Sequence, residues 1–301
     1  MPLPVLLRLF LLAAIWGASF LFMRITAPAL GFAWTASLRG TLAACSLLLL
    51  LLLQSRALEW RRFWKQYLIL GALGSGFPYL LYAWAALHLP AGYSAILNAT
   101  SPLWSVLLGL LFWQRALHAR LLLGLACGVA GVALLVRLGP LALTPDVWLA
   151  VACCACATIC YALAGEYTKR ASLSIPVAQM ACGSQITASL MLMPPTALTT
   201  ALPSQAPLSA WLAVAALAIF CTAIAYLLYF SIVVAVGPTK ALTVTFITPA
   251  FSLLWGWLFL HEHVTLAMLG GCVLVVLAMW LVSGPAPAST QAAASGTRQS
   301  S

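Results

Sequence analysis

Apolar residues run nearly unbroken along this chain and are interrupted at intervals by short clusters of charge or proline. A helix advances about 1.5 Å per residue, so roughly 20 apolar residues are needed to cross the hydrocarbon of a bilayer. Ten runs fit this pattern, at 4–24, 33–53, 67–87, 91–113, 121–136, 148–167, 177–198, 211–234, 241–260 and 264–282. The gaps hold Arg56 to Lys65, Leu89-Pro90, Arg115 to Arg120, residues 139–146, Lys169-Arg170, residues 194–207 and Gly237-Pro238. The pattern predicts an all-α integral membrane protein with ten transmembrane helices.

The runs repeat. At an offset of 147 residues Tyr79 falls on Tyr226, Tyr82 on Tyr229, Pro102 on Pro249, Ser105 on Ser252, Gly109 on Gly256 and Gly124 on Gly271. Self-similarity at a fixed offset is the mark of internal duplication. Five spans lie in each half, and a unit that crosses five times ends on the opposite side, so its second copy inserts upside down. The expectation is two inverted five-helix repeats, 1–139 and 146–283, with a substrate site near the midplane where they meet. The tail 284–301, small, polar and proline-bearing, is expected to be disordered.

Composition agrees with a membrane setting: 64% of the 301 residues are hydrophobic and 6% charged, against about a quarter charged in soluble domains. The net charge of +10 follows from topology, because short cytoplasmic loops collect Lys and Arg. With the N-terminus inside, Arg8, Arg56, Arg61, Arg62, Lys65, Arg115, Arg120, Lys169, Arg170, Lys240 and Arg298 are cytoplasmic, leaving Arg24, Arg39 and Arg137 outside. Both termini are then cytoplasmic, the positive charge faces lipid headgroups, and no nucleic-acid partner is needed. A cleavable signal peptide is the competing reading of the first run, but removing it would destroy the five-plus-five symmetry.

Chemistry concentrates beside the repeated prolines. A proline within a helix leaves the carbonyl four residues earlier without its donor, so Pro102 frees that of Asn98 and Pro249 that of Thr245, and both are candidate kink or gating points. Bare backbone is tolerated in a membrane where it faces water, substrate or another helix. Asn98, Ser101 and Ser105 share one helical face, as do Thr245, Thr248 and Ser252. These trios are predicted to line a central cavity; the competing reading is hydrogen bonding between packed helices.

Tyr79 with Tyr82, and Tyr226 with Tyr229, lie three residues apart and so share faces. A flat ring with one hydroxyl suits a cavity for amphipathic molecules. Trp16 and Tyr161, related by an offset of 145 residues, are candidates for two further walls, with an interfacial aromatic belt as the alternative.

Four carboxylates are present, and none falls plainly at mid-membrane, where proton-driven pumps commonly carry one. Glu166 sits three and four residues before Lys169 and Arg170, the spacing of an ion pair. Glu262 follows span nine between two histidines, without the HExxH spacing of a zinc protease helix. Arg39 lies early in span two, either snorkelling outward or in a structural bond, or attracting an anionic part of the substrate. Arg39, Glu166 and Glu262 are thus the candidates for charge coupling. Nine cysteines, all in predicted spans, are no disulfide framework. Cys153, Cys156 and Cys160 share a helical face, but no histidine or carboxylate joins them, so neither metal nor cofactor is expected. Gly124, Gly128 and Gly131, with Gly270 and Gly271, give spans five and ten small-residue faces suited to packing or to a homodimer. No nucleophile–base cluster points to an enzyme.

The WGASF segment from Trp16, Arg39 in span two, TSPLWSVLLGLLF and ITPAFSLLWGWLFLHE around the two prolines, and the glycines opening spans five and ten together resemble the drug/metabolite transporter superfamily, specifically its EamA-type members. The resemblance implies two inverted repeats around a cavity formed by spans one, three, four, six, eight and nine, with spans five and ten behind. It also implies alternating-access export of amino acids or related small metabolites across the bacterial inner membrane. Glu262 matches the acid that the family places after span nine; Arg115 stands at the equivalent place in the first half. The alternatives are a proton-coupled drug or amino-acid antiporter and, from another class, a non-transporting receptor or scaffold.

Overall fold

The computed structural model describes residues 3–113, 119–138, 142, 144–236 and 244–283. Arg115, Gly237, Pro238, Lys240 and the tail 284–301, all singled out above, lie outside the described residues. Among the described residues every regular element is helical. In chain order these are α1 (Leu3–Leu30), α2 (Phe32–Leu53), α3 (Trp60–Gly71), α4 (Phe77–Ala85), α5 (Ala91–Asn98), α6 (Ser101–Trp113), α7 (Ala119–Leu138), α8 (Pro145–Ala171), α9 (Val177–Thr199), α10 (Leu208–Ala218), α11 (Ala225–Val236), α12 (Val244–Leu260) and α13 (Leu266–Ser283).

Three of the predicted spans are composite. A wide π-turn, Ala72–Gly76, joins α3 to α4, and a second, Ile219–Ile224, joins α10 to α11. A short break at Ala99 and Thr100 separates α5 from α6. Counted with these joints, the described residues form ten helical stretches. Six are long and apolar enough to cross a membrane, from Leu3–Leu30 to Leu208–Tyr229, and three shorter ones, Ala119–Leu135, Val244–Leu260 and Leu266–Leu281, are also apolar. The tenth, α9, buries Gln179, Ser184, Gln185 and Thr187, which a helix facing hydrocarbon would not do. The chain is a multi-pass helical membrane protein.

Helices of the first half pack mainly on helices of the second. The principal pairs are α2 with α9, α7 with α13, α1 with α12, α3 with α9 and α4 with α8. Small residues let the backbones approach: a Cβ at Gly17 of α1 would meet Phe251 and the backbone nitrogen of Ser252 at 2.9 Å. Gly131 of α7 and Gly271 of α13 face each other in the same way, the added Cβ of each meeting the other's carbonyl at 3.1 and 3.0 Å. The small-residue faces of spans five and ten therefore meet each other within one chain.

Candidate functional site

The predicted aromatic residues gather at the centre, where the two halves touch. Tyr82 of α4 stacks on Tyr161 of α8 with ring centroids 6.2 Å apart, and Phe20 of α1 meets its edge at 5.6 Å. Its hydroxyl donates to Asn98 Oδ1 at 3.0 Å, so one predicted residue orients another. Trp16, one turn before Phe20 on α1, lies 5.5 Å from Tyr229. Tyr79 and Tyr82 are buried, while Trp16, Asn98, Tyr161, Tyr226 and Tyr229 keep partial exposure. A ring wall with a few fixed hydroxyls and an amide suits a partly apolar ligand.

Arg39 does not snorkel. It is 8% exposed and bonded inward: Nε donates to Thr222 Oγ1 at 3.1 Å, Nη1 approaches Met23 Sδ at 3.6 Å, and the guanidinium lies 3.9 Å over the Tyr79 ring. Its residue position is one turn and more from the helix start, too deep for the head to reach the surface while α9 and α10 pack alongside. Tyr79 in turn donates to Gln185 Oε1 at 3.4 Å, and Gln185 Nε2 donates to Ser75 Oγ at 2.8 Å. A single polar chain thus runs from one π-turn to the other through Arg39, Tyr79 and Gln185.

The proline-side hydroxyls behave differently from the expectation. Ser101 Oγ donates at 2.6 Å to the Asn98 carbonyl, the one Pro102 leaves without a donor. Thr248 donates to the Val244 carbonyl at 3.0 Å and is buried, as is Pro249. Ser252, fully buried, donates across to the Ala91 carbonyl at 3.1 Å. Helix packing therefore accounts for Ser252, while Asn98 keeps its side chain at the aromatic centre. Thr245 and Pro102 are half-buried. Glu166 is half-buried near the end of α8, about a turn past Tyr161.

Glu262 lies in the short connection after α12 and reaches the N-terminus of α5 in the first half. Its carboxylate accepts from the Ala91 N–H, with both oxygens at 3.0 and 3.1 Å, and Arg24 Nε stands 3.8 Å away. Arg24 Nη1 also donates to the carbonyl of Ala86 at 2.8 Å, near the end of α4. One acid and one base thereby tie α1, the end of α4, the start of α5 and the end of α12 together, using the partial charges that helix ends expose. His261, at φ 53, makes the turn, and the Glu262 N–H returns to the Gly256 carbonyl at 3.1 Å. Gly256 leaves room for the carboxylate: a Cβ there would meet Glu262 Oε2 at 2.5 Å and the side chain would have to shift. Burial raises the Glu262 carboxyl above the usual glutamate value, with the Ala91 N–H and Arg24 pulling partly back.

A separate apolar crevice of about 390 Å³ opens between α6, α7 and α8, lined by Leu103, Trp104, Val132 and Trp148 among others. None of the predicted site residues lines it, and it offers almost nothing polar to orient a ligand. Among the described residues no group of three His, Cys, Asp or Glu side chains converges; Cys156 is exposed and Cys153 and Cys160 half-buried on α8.

Sequence reasoning missed Arg24, Ser75, Thr222 and Gln185. One signal was present: Ser75 and Thr222 stand at the same 147-residue offset as the tyrosine pairs. The contact of Arg24 with Glu262 had only their predicted placement on the same side of the membrane to announce it.

Helices of both halves enclosing a polar, aromatic centre define a polytopic membrane transporter. The sequence pattern of the EamA-like transporter family matches residues 3–137 and again 148–284, and the chain belongs to that family, within the drug/metabolite transporter superfamily. It is 30% identical over 263 residues to the uncharacterized inner membrane transporter YedA of Escherichia coli (strain K12), covering 84% of this chain and 82% of YedA. It is 29% identical over 230 residues to protein PecM of Dickeya dadantii (strain 3937), 74% and 73% of the two chains. Transporter YvbV of Bacillus subtilis (strain 168) is 26% identical over 298 residues, 95% and 94%. A protein of known crystal structure shares the fold with a TM-score of 0.65 at 19% identity, over 92% of this chain and 96% of that one.

Proposed function

We propose that the protein is a secondary carrier that exports a small, partly apolar metabolite, such as an amino acid or a relative of one, across the bacterial inner membrane by alternating access. The observation that carries this reading is the central cluster in which Tyr82 is stacked on Tyr161 and bonded to Asn98, with Trp16 and Tyr229 adjoining. Tyr79, Tyr226, Ser101, Thr245 and Thr248 complete the proposed substrate wall, and Pro102 and Pro249 mark where the helices beside it flex. In this reading the ten stretches are two inverted five-helix repeats, 1–139 and 146–283, with both termini cytoplasmic. The equivalent placement of the two π-turns supports it. The Glu262–Arg24 contact is the closed gate on the outer side, so substrate enters from the cytoplasm in the state seen.

A second reading, a proton-coupled antiporter, is favoured by one observation: a part-buried carboxylate, raised by burial, holds that contact together. Protonating Glu262 would weaken its hold on Arg24 and open the outer side.

The test is uptake and efflux of labelled amino acids and aromatic metabolites in proteoliposomes, with and without a pH gradient. Saturable flux independent of the gradient supports the carrier, and flux that follows the gradient and is lost in Glu262→Gln supports the antiporter. No saturable flux of any compound would reject both.

A further inference from the structure

The two halves build the same joint at the centre with different chemistry. From α2, Arg39 donates to Thr222 in the π-turn of the second half. From α9, the equivalent helix, Gln185 donates to Ser75 in the π-turn of the first. Ser75 and Thr222 are 147 residues apart, the offset of the tyrosine pairs, while Arg39 and Gln185 are 146 apart, one residue off it, so the acceptors match by position and the donors by the helix they stand on and the π-turn they reach. A neutral amide makes the bond as well as a guanidinium does, so the positive charge of Arg39 exceeds what the architecture requires.

That charge is not balanced by protein. A charge inside a membrane helix is costly, and such residues normally pair with one another. Among the described residues no carboxylate lies within 4.0 Å of Arg39, whereas Arg24 has Glu262 and Arg62 has Glu59. The guanidinium is also incompletely bonded. Nε holds Thr222 and Nη1 has only the weak acceptor sulfur of Met23, while Nη2 makes no hydrogen bond with the described residues. Nor does Nη2 rank with the fully enclosed unpartnered atoms, which are those of Thr35, Tyr67, Ser94 and Gln179. It therefore keeps an open side. The Nη1–Nη2 edge is the fork that receives a carboxylate in bidentate fashion. The Tyr79 ring below it fixes the plane.

We propose that Arg39 is a carboxylate-binding residue of the central site, and that the substrate is a small organic acid or amino acid whose carboxylate meets the Nη1–Nη2 edge while its apolar body lies against Tyr82 and Tyr161. This rests on the carrier reading for its biological meaning, but it concerns binding and is tested as such.

The experiment uses the full chain in lipid nanodiscs and a matched set of probes titrated by calorimetry: 3-phenylpropanoate, its isosteric amide 3-phenylpropanamide, and the cation phenethylamine. Wild type is expected to bind the acid at least about tenfold more tightly than the amide, the scale of a charge-assisted hydrogen bond, and to bind the amine most weakly. Arg39→Gln, which copies the second half and keeps a donor for Thr222, should bring the acid down to the level of the amide and leave the amide within about twofold. Arg39→Lys, a point charge without the fork, should keep part of the preference. Equal binding of acid and amide by wild type, absence of acid binding, or an acid preference that survives in folded Arg39→Gln overturns the proposal. If Arg39→Gln does not fold, the acid-to-amide ratio of wild type decides alone. Saturable proteoliposome flux of amide or amine without acid preference would sink this subsite and leave the carrier standing. Acid binding that needs Arg39, with no flux of any probe, would sink the carrier and leave the subsite.

Discussion

The stretch from Ala91 to Trp113 and its counterpart ending at Leu260 carry a proline at the same place, yet the first breaks at Ala99 and Thr100 while the second is helical at the equivalent Phe246 and Ile247. In the first, α5 stops at Asn98 and Pro102 falls in the opening turn of α6, where a missing N–H costs nothing. In the second, Pro249 sits inside α12. The proline alone therefore does not decide the geometry. Around the break, Thr100 Oγ1 donates to the Leu97 carbonyl at 2.7 Å and Ser101 Oγ to the Asn98 carbonyl, so side chains replace the bonds that the helix gives up. The residue equivalent to Thr100 is Ile247, which has no hydroxyl to offer. The second half lacks that substitute, and its chain stays helical through the equivalent positions. Two copies of one unit thus hold different shapes, as a carrier caught on one side of its cycle requires in the reading proposed above.

The largest effect on this contrast is expected where α5, only eight residues long, is anchored from outside. Glu262→Ala leaves the Ala91 N–H and Arg24 without their acceptor, and should cost about 2 kcal/mol in detergent-titrated unfolding, the scale of bonds to a charged group. The pH dependence has a definite sign. The folded carboxyl titrates above its unfolded value near 4.5, so the folded state binds more protons in that window. Stability then falls as pH rises from about 4.5 through the raised value, and Glu262→Gln should flatten that slope.

A smaller effect, about 1 kcal/mol, is expected from Tyr82→Phe, which keeps the ring stack and removes the bond to Asn98. Because Asn98 ends α5, flux should fall about fivefold, the equivalent of that energy in a rate or equilibrium, with the folded yield nearly unchanged. Ser101→Ala should cost slightly less in unfolding titrations, since the Asn98 carbonyl loses its donor but sits half-exposed. Smallest of all, Pro249→Ala returns an N–H to a helix already formed on both sides of the proline and should change stability by no more than about 0.5 kcal/mol, the low end of the net worth of a hydrogen bond. A large loss there would mean that α12 depends on its proline as much as the first half depends on its hydroxyls.

The helical architecture was legible because hydropathy reports span length directly. The run predicted at 91–113 coincides with α5 and α6, and the one at 177–198 with α9. The first helix extends to Leu30, six residues past its predicted end, because Pro28 near its last turn does not interrupt it. Of the site, the sequence offered Tyr82, Asn98 and Tyr161 as separate wall candidates, but not the hydrogen bond and ring stack that join them. The π-turns were not legible either, since an i→i+5 bond has no residue signature. Nor was the burial of Arg39, which depends on Thr222 nearly 200 positions away. Sequence spacing supplies which residues share a face, but not which remote hydroxyl or ring will meet them.

The two π-turns carry a consequence of their own. Each inserts one surplus residue into an otherwise regular helix, and a residue is worth about 100° of rotation about the axis. Tyr79 and Tyr82, and likewise Tyr226 and Tyr229, lie just after such an insertion. Their aim at the middle of the molecule is thus set by chain counting as much as by side-chain chemistry: excising one residue from Ala72–Gly76 would swing both rings roughly a quarter-turn toward lipid while leaving every tyrosine in the sequence.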